Sequence, residues 1–562
     1  MPLKTFILFF CILFIITLLD FFYLGKPVVG IDDANITMNY AWHLSQGEGF
    51  VFNHGGERVE GFTSLLWVLI IRCFYAVTSH PEKLLMGFLF LLSVITIYMV
   101  FIELKKEVVE RYPSVSNKKL LWIFCLFVVC IAPPYLLWSV LSLMENGVWN
   151  FLLTAMVILL LQLHRGSNKT TTKFFLVVCG VLLLLTRPEA MVWCALFSVL
   201  LWFIARKNRS GYFFPVMFFT MMVLTTGALT VFRERYFGYP FPNTYYAKVS
   251  ADEFYNLKEG FLYLFRFLTT YHPMITFLLG VLLIYLINRQ YEAGSLKKVA
   301  SYFQVDDDYG PYRIITFIIL VILVLPMTTG GDHFGGFRFY QASLLFFAWA
   351  LPPLIFLAER NVNETTLRLK IIGGAAAFTF LLYTAGSLYR LKNLSETRMD
   401  FEFSLASSGR WDAVGLNRFW KDHKPSVGVI TVGGFSLKYE GETVDLMGLN
   451  NTMMGHSKGD RRGIKNHAAF NKDVFYRLQP DMLLPKVVNN EAEARTYFEE
   501  LEDESNFSNK ALRHILYDSA FTSMYHPVLM QKNDQKVFAF VKRDMESKVA
   551  KDTIQLTQLR LQ

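Results

Sequence analysis

Two adjacent carboxylates, Asp32 and Asp33, follow the first apolar segment of the chain, within the stretch GIDDANITMNYA. Acidic residues favour the first turn of a helix, and apolar residues at helical spacing come next, so helix capping is one interpretation. A cap needs only one acid, whereas two neighbouring carboxylates raise each other's cost of ionisation near a low-dielectric border. The pair is therefore also a candidate general base or cation site, and the residues alone leave all three interpretations open.

The composition indicates a polytopic α-helical membrane protein. The chain has 562 residues, of which 53% are hydrophobic and 16% aromatic, and its mean hydropathy is +0.34. A soluble protein of this length is normally less apolar. The net charge of +9 comes from Lys and Arg in the loops between apolar segments, which is typical of membrane proteins, so we expect no nucleic-acid partner.

Segments of about 20 apolar residues predict spanning helices. Eleven are predicted, with the N-terminus in the cytoplasm: 5–24, 84–104, 120–140, 148–163, 174–186, 190–205, 212–232, 272–288, 314–328, 340–358 and 370–389. The apolar stretch 63–79 is excluded because Arg72 in its middle would be costly inside the bilayer. Its exclusion also places the basic loops in the cytoplasm, so we expect 63–79 to be an interfacial or re-entrant helix.

The predicted topology places the most unusual loops on one outer face. They are rich in glycine, aromatic residues, carboxylates and arginine, which indicates that this face carries the function. We expect a transmembrane catalytic module at 1–390, with 25–83 as its first outer loop, and a soluble α/β domain at 391–562. Within that domain the pattern predicts strand, glycine turn and strand over 426–448, helix then strand over 471–485, and a hairpin around Lys532–Asp534.

The run DDANITMNYAWHLSQGEGFVFNHGGERVEGFTSLLW resembles the first outer loop of the GT-C glycosyltransferase superfamily. It is most similar to the branch of terminal arabinofuranosyltransferases and pilin arabinosyltransferases. Further similar motifs are LTRPEA at 185–190, PNTYYAK at 242–248, GGDHFGGFRF at 330–339 and DLMGLNN at 445–451. The resemblance covers essentially the whole chain and implies a GT-C fold with a C-terminal periplasmic domain.

The resemblance implies an enzyme of the bacterial inner membrane, surrounded by membrane lipids. It would move a sugar, such as the pentose arabinofuranose, from a polyprenyl-phosphate donor to a glycan, lipid or protein acceptor on the periplasmic face, with inversion. Family members carry an Asp general base in the first outer loop, which we assign to Asp32 with Asp33 in support, although the two roles could be exchanged. Such a base is worth about 10²–10⁴-fold in rate.

The departing phosphate requires cations on the outer face. The predicted phosphate ligands are Arg58, Arg187, Lys248 and Arg338, for which contact with lipid headgroups is the alternative role. The predicted substrate-binding residues are Glu60, Glu189, Asn243, Tyr245, Asp332 and His333. One Asp and one His do not make a metal site, and the superfamily has members with and without a divalent cation, so metal dependence stays open.

A transporter or flippase of lipid-linked sugars is the alternative function. Transporters place their key charges at mid-bilayer on broken helices, often in repeated halves. In this sequence the charges cluster in outer loops, no repeat is visible, and a soluble domain follows the last apolar segment. The pattern therefore favours an enzyme.

The topology is testable with reporter fusions. We expect a periplasmic reporter fused after residue 400 to be active, and the same reporter fused after residue 168, in a predicted cytoplasmic loop, to be silent. Reporter activity is measured in whole cells expressing each fusion at matched levels. A cytoplasmic signal from the fusion after residue 400 would contradict the eleven-helix arrangement.

Overall fold

The computed structural model describes residues 2–111, 113, 115–250, 252–271, 310–361, 398–421, 423–458, 467–545 and 554–559. Two predicted spans, 272–288 and 370–389, lie outside the described residues. The chain forms two compact units. The helical unit comprises Met1–Val28, Lys83–Ala228 and Glu253–Asp400, and the sheet unit comprises Val29–Glu82, Leu229–Asp252 and Phe401–Gln562.

The described helices are numbered in chain order across both units. They are α1 (Pro2–Tyr23), α2 (Asp32–Ser45), α3 (Leu65–Tyr75), α4 (Glu82–Arg111), α5 (Asn117–Leu136), α6 (Asn146–His164), α7 (Thr170–Thr186), α8 (Ala190–Asn208), α9 (Phe213–Phe237), α10 (Asn243–Lys248), α11 (Glu253–Arg266), α12 (Gly310–Val324), α13 (Gln341–Asn361), α14 (Met399–Phe419), α15 (Gly433–Ser436), α16 (Thr452–Gly455), α17 (Lys472–Leu478), α18 (Glu491–Glu502), α19 (Phe507–Ala511) and α20 (Ser519–Met524).

Long apolar helices dominate the helical unit. In the described part of the chain, six are long and apolar enough to cross a membrane, namely α1, α4, α5 with the π-helical turn Leu137–Leu141 that continues it, α6, α8 and α9. Helices α7 and α12 are shorter, and α12 continues as the 3-10 turn Leu325–Thr329. A helix overlaps each of the nine predicted spans that fall within the described residues, because uninterrupted apolar runs determine these elements locally.

Helix α3 occupies the apolar stretch that was excluded from the predicted spans. Its 11 residues rise about 16 Å, roughly half the hydrocarbon thickness of a bilayer. Ser64 caps it by accepting a hydrogen bond from the main-chain N–H of Trp67 at 3.3 Å. A helix of this length does not span, in agreement with its exclusion.

The sheet unit contains a six-stranded sheet in the order β2-β1-β3-β5-β4-β6. Its strands are β1 (Val427–Val429), β2 (Thr443–Asp445), β3 (Met482–Val488), β4 (Tyr525–Lys532), β5 (Gln535–Lys542) and β6 (Gln555–Gln558). Strand β1 pairs in parallel with β2 and β3, and the remaining pairs are antiparallel. Together with the apolar helices, this sheet confirms the predicted fold class of a helical membrane protein with a C-terminal α/β domain.

The local predictions for the C-terminal domain agree with these elements, with one difference. The hairpin β4–β5 turns at Asn533, and α17 followed by β3 matches the predicted helix and strand. Between β1 and β2 the glycines begin the one-turn helix α15, and the two strands are parallel. The pattern gives the strands but not their direction, because strand pairing is decided by the whole sheet.

The domain boundary at 390/391 and the first outer loop at 25–83 stay predictions. In the structure, the segments 29–82 and 229–252 pack in the same compact unit as 401–562. The segment that carries the Asp pair is therefore built into the sheet unit.

A fully buried phenylalanine of β5 tests the core of the sheet unit. Phe538 packs against the rings of Tyr497, Phe498 and Phe540 at centroid distances of 5.6–5.8 Å. Phe538→Ala is expected to cost about 3–5 kcal/mol in free energy of unfolding, because it leaves a cavity. Limited proteolysis of the full chain in detergent should then release fragments of the sheet unit at lower temperature. Phe507→Ala, at a 46% exposed position, is the control and should leave the temperature profile of proteolysis unchanged. Equal proteolysis profiles for Phe538→Ala and Phe507→Ala would contradict this packing.

Candidate active site

Helix α2 carries the Asp pair in its first turn. It begins at Asp32 after Ile31, whose backbone is extended, and it has no side-chain capping hydrogen bond. Nine of its residues are buried, so the helix is enclosed within the sheet unit. Side-chain capping therefore does not account for the two acids, although both are favourably placed for the helix dipole.

The carboxylate of Asp32 is bound by two successive main-chain amides. Its Oδ2 accepts a hydrogen bond from Gly433 N at 2.9 Å, and its Oδ1 accepts one from Gly434 N at 2.8 Å. We call this arrangement the amide clamp. A Cβ atom at position 433 would overlap the main-chain oxygen of Asp32, and one at 434 would overlap that of Ala406. Only glycine permits this close approach at both positions.

Burial raises the pKa of Asp32 to about 6, although the amides of Gly434 and Gly433 lower it. The charge of Asp33 raises the pKa of Asp32 further. Asp32 is 8% exposed and both of its oxygens accept a hydrogen bond, so its carboxylate is held in one orientation.

Asp33 lies in a different environment from its neighbour. Its side chain is 21% exposed, and its Oδ2 lies 3.6 Å from Nζ of Lys248, whose side chain is 20% exposed. Of the two acids, Asp33 is the one whose carboxylate solvent and a ligand can reach.

Helix α10 positions Lys248 and is fixed to the segment DLMGLNN. Nδ2 of Asn243 donates to the carbonyls of Gly448 at 2.8 Å and Leu449 at 2.9 Å. Tyr245, one turn before Lys248, has 49% of its surface exposed. Asn243 thus serves as an anchor for α10, while Tyr245 is accessible for stacking against a ligand.

Two residues of DLMGLNN, which the motif contained but the site prediction omitted, connect this segment to α2. The buried Asp445 accepts hydrogen bonds from Asn450 N and Nδ2, both at 2.8 Å. Asn450 Oδ1 in turn accepts a hydrogen bond from Tyr40 OH at 3.1 Å, and Tyr40 OH accepts one from Gly61 N at 3.2 Å. Adjacent Asp, Gly and Asn residues are typical of such side-chain-stabilised turns.

Glu60 is paired with an arginine within the sheet unit. Nε of Arg233 lies 3.0 and 2.9 Å from the two carboxylate oxygens of Glu60. Burial raises the pKa of Glu60 to about 7, and the charge of Arg233 opposes that rise. Arg58 is exposed, with its guanidinium 4.7 Å from the ring centroid of Tyr236.

The other predicted site residues come together in the helical unit. Arg187 Nη1 donates to Glu145 at 2.7 Å and its Nε donates to Glu189 at 2.5 Å. Arg338 pairs with the buried Asp332. The two guanidinium groups lie 5.0 and 5.1 Å from the ring centroid of Phe339.

His333 belongs to the same group, and its main-chain N–H donates to Asp332 Oδ1 at 2.9 Å. Two arginines are therefore paired with three carboxylates in this group. An incoming phosphate would have to compete with these carboxylates for the guanidinium groups. Glu145, which is not among the predicted site residues, is the more buried of these two partners of Arg187.

The described residues contain no group of three or more His, Cys, Asp or Glu side chains arranged to hold a metal ion. Asp332 and His333 supply one carboxylate and one imidazole, fewer ligands than a metal site usually has. Metal dependence therefore stays open, as it was from the sequence.

The pKa of Asp32 predicts a specific pH dependence of stability. Its pKa is higher in the folded protein than the ordinary value of 3.8, so the folded state binds more protons than the unfolded state between about pH 4 and 6. The free energy of unfolding should fall as pH rises through that window, by up to about 3 kcal/mol, and then level off. Asp32→Asn lacks this titration. Plots of unfolding temperature against pH, from pH 4 to 7, should therefore converge or cross for the wild type and Asp32→Asn. Parallel plots would contradict the raised pKa of the buried Asp32 carboxylate.

No protein-family model matches the chain, and a search of curated proteins finds no match. Among solved structures, ArnT from Cupriavidus metallidurans bound to undecaprenyl phosphate is similar, with a TM-score of 0.50, 12% identity, and coverage of 95% of this chain and 97% of that chain. The apo state of ArnT gives a TM-score of 0.46 at 12% identity, with coverage of 95% and 97%. The apo oligosaccharyltransferase of Archaeoglobus fulgidus gives 0.43 at 10% identity, with coverage of 96% and 75%. The likeness to undecaprenyl-phosphate-bound ArnT shows that this chain has the same fold over nearly the full length of both proteins.

Proposed function

We propose that this protein is an integral-membrane glycosyltransferase that uses a polyprenyl-phosphate sugar. The fold shared with ArnT, which was solved with undecaprenyl phosphate bound, supports a lipid-phosphate substrate. The observation that carries the proposal is the pair of Asp33 and Lys248, an accessible carboxylate beside an accessible ammonium group. The arabinosyltransferase resemblance of the first outer loop supports a pentose such as arabinofuranose, transferred on the periplasmic face to a glycan, lipid or protein.

We assign the general base to Asp33 and a supporting role to Asp32, the reverse of the order first preferred from the sequence. A general base needs a lone pair within hydrogen-bond reach of the acceptor hydroxyl. Both oxygens of Asp32 already accept main-chain amide hydrogen bonds, and its side chain is buried. The Asp33 side chain is 21% exposed, and Asp33 lies between Asp32 and Asn35 in the first turn of α2.

The proposed step exchanges one bond for another at the anomeric carbon. The acceptor oxygen attacks that carbon and loses its proton to the Asp33 carboxylate, while the carbon–oxygen bond to the carrier phosphate breaks. The polyprenyl phosphate leaves as an anion from the opposite face, which inverts the anomeric configuration. Protonation of Asp33 removes the negative partner of Lys248 at the moment when the phosphate gains charge. The ammonium group can then stabilise the leaving group.

The contacts of the remaining predicted residues separate those that are accessible to a ligand from those that are already paired within the protein. Arg58 is exposed and, with Lys248, is assigned to the donor phosphate on the sheet unit. That Arg187 and Arg338 bind the donor phosphate stays a prediction. It requires each arginine to give up a carboxylate partner in exchange for the phosphate. Glu60 and Asn243 are engaged in contacts within the sheet unit, and Tyr245 presents an accessible ring to a sugar.

Charge-neutral substitution of the two acids tests the base assignment. In a purified assay with polyprenyl-phosphate arabinofuranose, followed by other polyprenyl-phosphate pentoses and hexoses, Asp33→Asn should lower kcat by about 10²–10⁴-fold and leave donor binding unchanged. The acceptor is an envelope extract from cells that lack this protein. Glu500→Gln, at an exposed acid of α18, is the matched control and should keep wild-type kcat.

Wild-type transfer by Asp33→Asn would overturn the assignment of the base. Failure of the wild type with every donor would overturn the proposed activity itself. Mass spectrometry of surface glycans from deletion and complemented cells identifies the transferred sugar.

A further inference from the structure

Arg410 connects the C-terminal part of the chain to the helix that carries the Asp pair. It lies on α14 within the sheet unit, and its side chain is 12% exposed. Its Nε donates to Asn35 Oδ1 at 2.7 Å, and its Nη1 donates to Glu82 Oε1 at 2.5 Å. One guanidinium group therefore contacts α2 and the first residue of α4 simultaneously.

Asn35 transmits this contact to the start of α2. It is completely buried, and its Nδ2 donates to the carbonyls of Val29 at 3.0 Å and Ile31 at 2.8 Å. The amide has only one productive orientation, because a flipped amide would point its NH₂ group at the guanidinium of Arg410. Arg410 thus orients the side-chain amide of Asn35, and that amide in turn holds the segment that precedes α2.

Two independent tethers therefore hold one turn of helix. The amide clamp holds Asp32, and Arg410 holds Asn35. Asp33 lies between these two residues in the first turn of α2, so the tethers define where its carboxylate points. Both tethers come from residues 410–434, between 375 and 402 positions away in the chain.

We propose that Arg410 is a positioning residue for Asp33 in the transfer reaction. The inference rests on the proposed function, in which Asp33 is the base. A base displaced by about 1 Å loses on the order of 10²-fold in rate although its chemistry is intact. Lysine is a poor substitute, because a single ammonium group lacks the planar fork with which Arg410 reaches two partners.

Glu82 has a second cation in its surroundings besides Arg410, namely Lys438. Burial lowers the pKa of Lys438, the charge of Arg410 lowers it further, and the charge of Glu82 raises it. Lys438 is therefore an electrostatic neighbour of Glu82, so Glu82 keeps a cation beside it when Arg410 is replaced. Arg418, exposed near the end of the same helix, offers a matched control.

The experiment compares Arg410→Gln, Arg410→Lys and the control Arg418→Gln in the full-length protein in detergent. Hydrogen–deuterium exchange should be faster at amides 31–38 in Arg410→Gln and unchanged at 482–488 in β3. With a donor that the wild type uses, kcat should fall about 10–100-fold at unchanged donor KM, with Arg410→Lys intermediate and Arg418→Gln at the wild-type value.

Each outcome decides the inference. Wild-type exchange and wild-type kcat in Arg410→Gln would overturn it, and faster exchange at both 31–38 and 482–488 would show a general structural role instead. Faster exchange confined to 31–38 together with the fall in kcat supports it, whereas faster exchange there at wild-type kcat would overturn the role of Arg410 in transfer. If Asp33→Asn retains wild-type transfer, the assignment of the base fails separately from this result.

Discussion

The binding of one buried carboxylate by two consecutive amides is the constraint on which the candidate site depends. A buried charge is costly unless it is paired or hydrogen-bonded, and hydrogen bonds to an ionised acceptor are among the stronger ones. Asp32 obtains two of them from Gly433 and Gly434, at positions where any side chain would overlap neighbouring main-chain atoms. The segment 29–82 and the sheet belong to one compact unit, and the orientation of α2 follows from that unit.

This arrangement explains why two like charges stand side by side. Consecutive residues of a helix point about 100° apart, so adjacent acids face different surroundings. Asp32 faces inward to the glycine amides, and Asp33 faces an accessible edge beside Lys248. The pair is thus one buried carboxylate and one that is partly accessible to solvent. The repulsion between them is tolerated because each has its own partner.

The sequence predicts those features that are encoded locally. Apolar runs predict the described spans, alternating residues predict the β4–β5 hairpin, and the motif around Asp32 and Asp33 predicts an important first loop. It does not predict which acid is accessible, because the amides that bind Asp32 lie 401 and 402 positions further along the chain. Likewise, the pairing of Arg410 with Asn35 joins positions 375 apart, a separation that spacing in one sequence does not reveal.

The length of chain between Asp32 and its amide partners has a consequence for biosynthesis. The first of those partners is translated 401 residues after Asp32, which at cellular elongation rates is roughly 20–80 s later. During that interval α2 is already made, but the Asp32 carboxylate lacks the two amides that bind it in the folded protein, so water must supply its hydrogen bonds. Assembly of the Asp pair is therefore coupled to synthesis of the chain as far as residues 433 and 434. A ribosome that stalls before residue 433 leaves a membrane-inserted product whose Asp pair is not yet assembled.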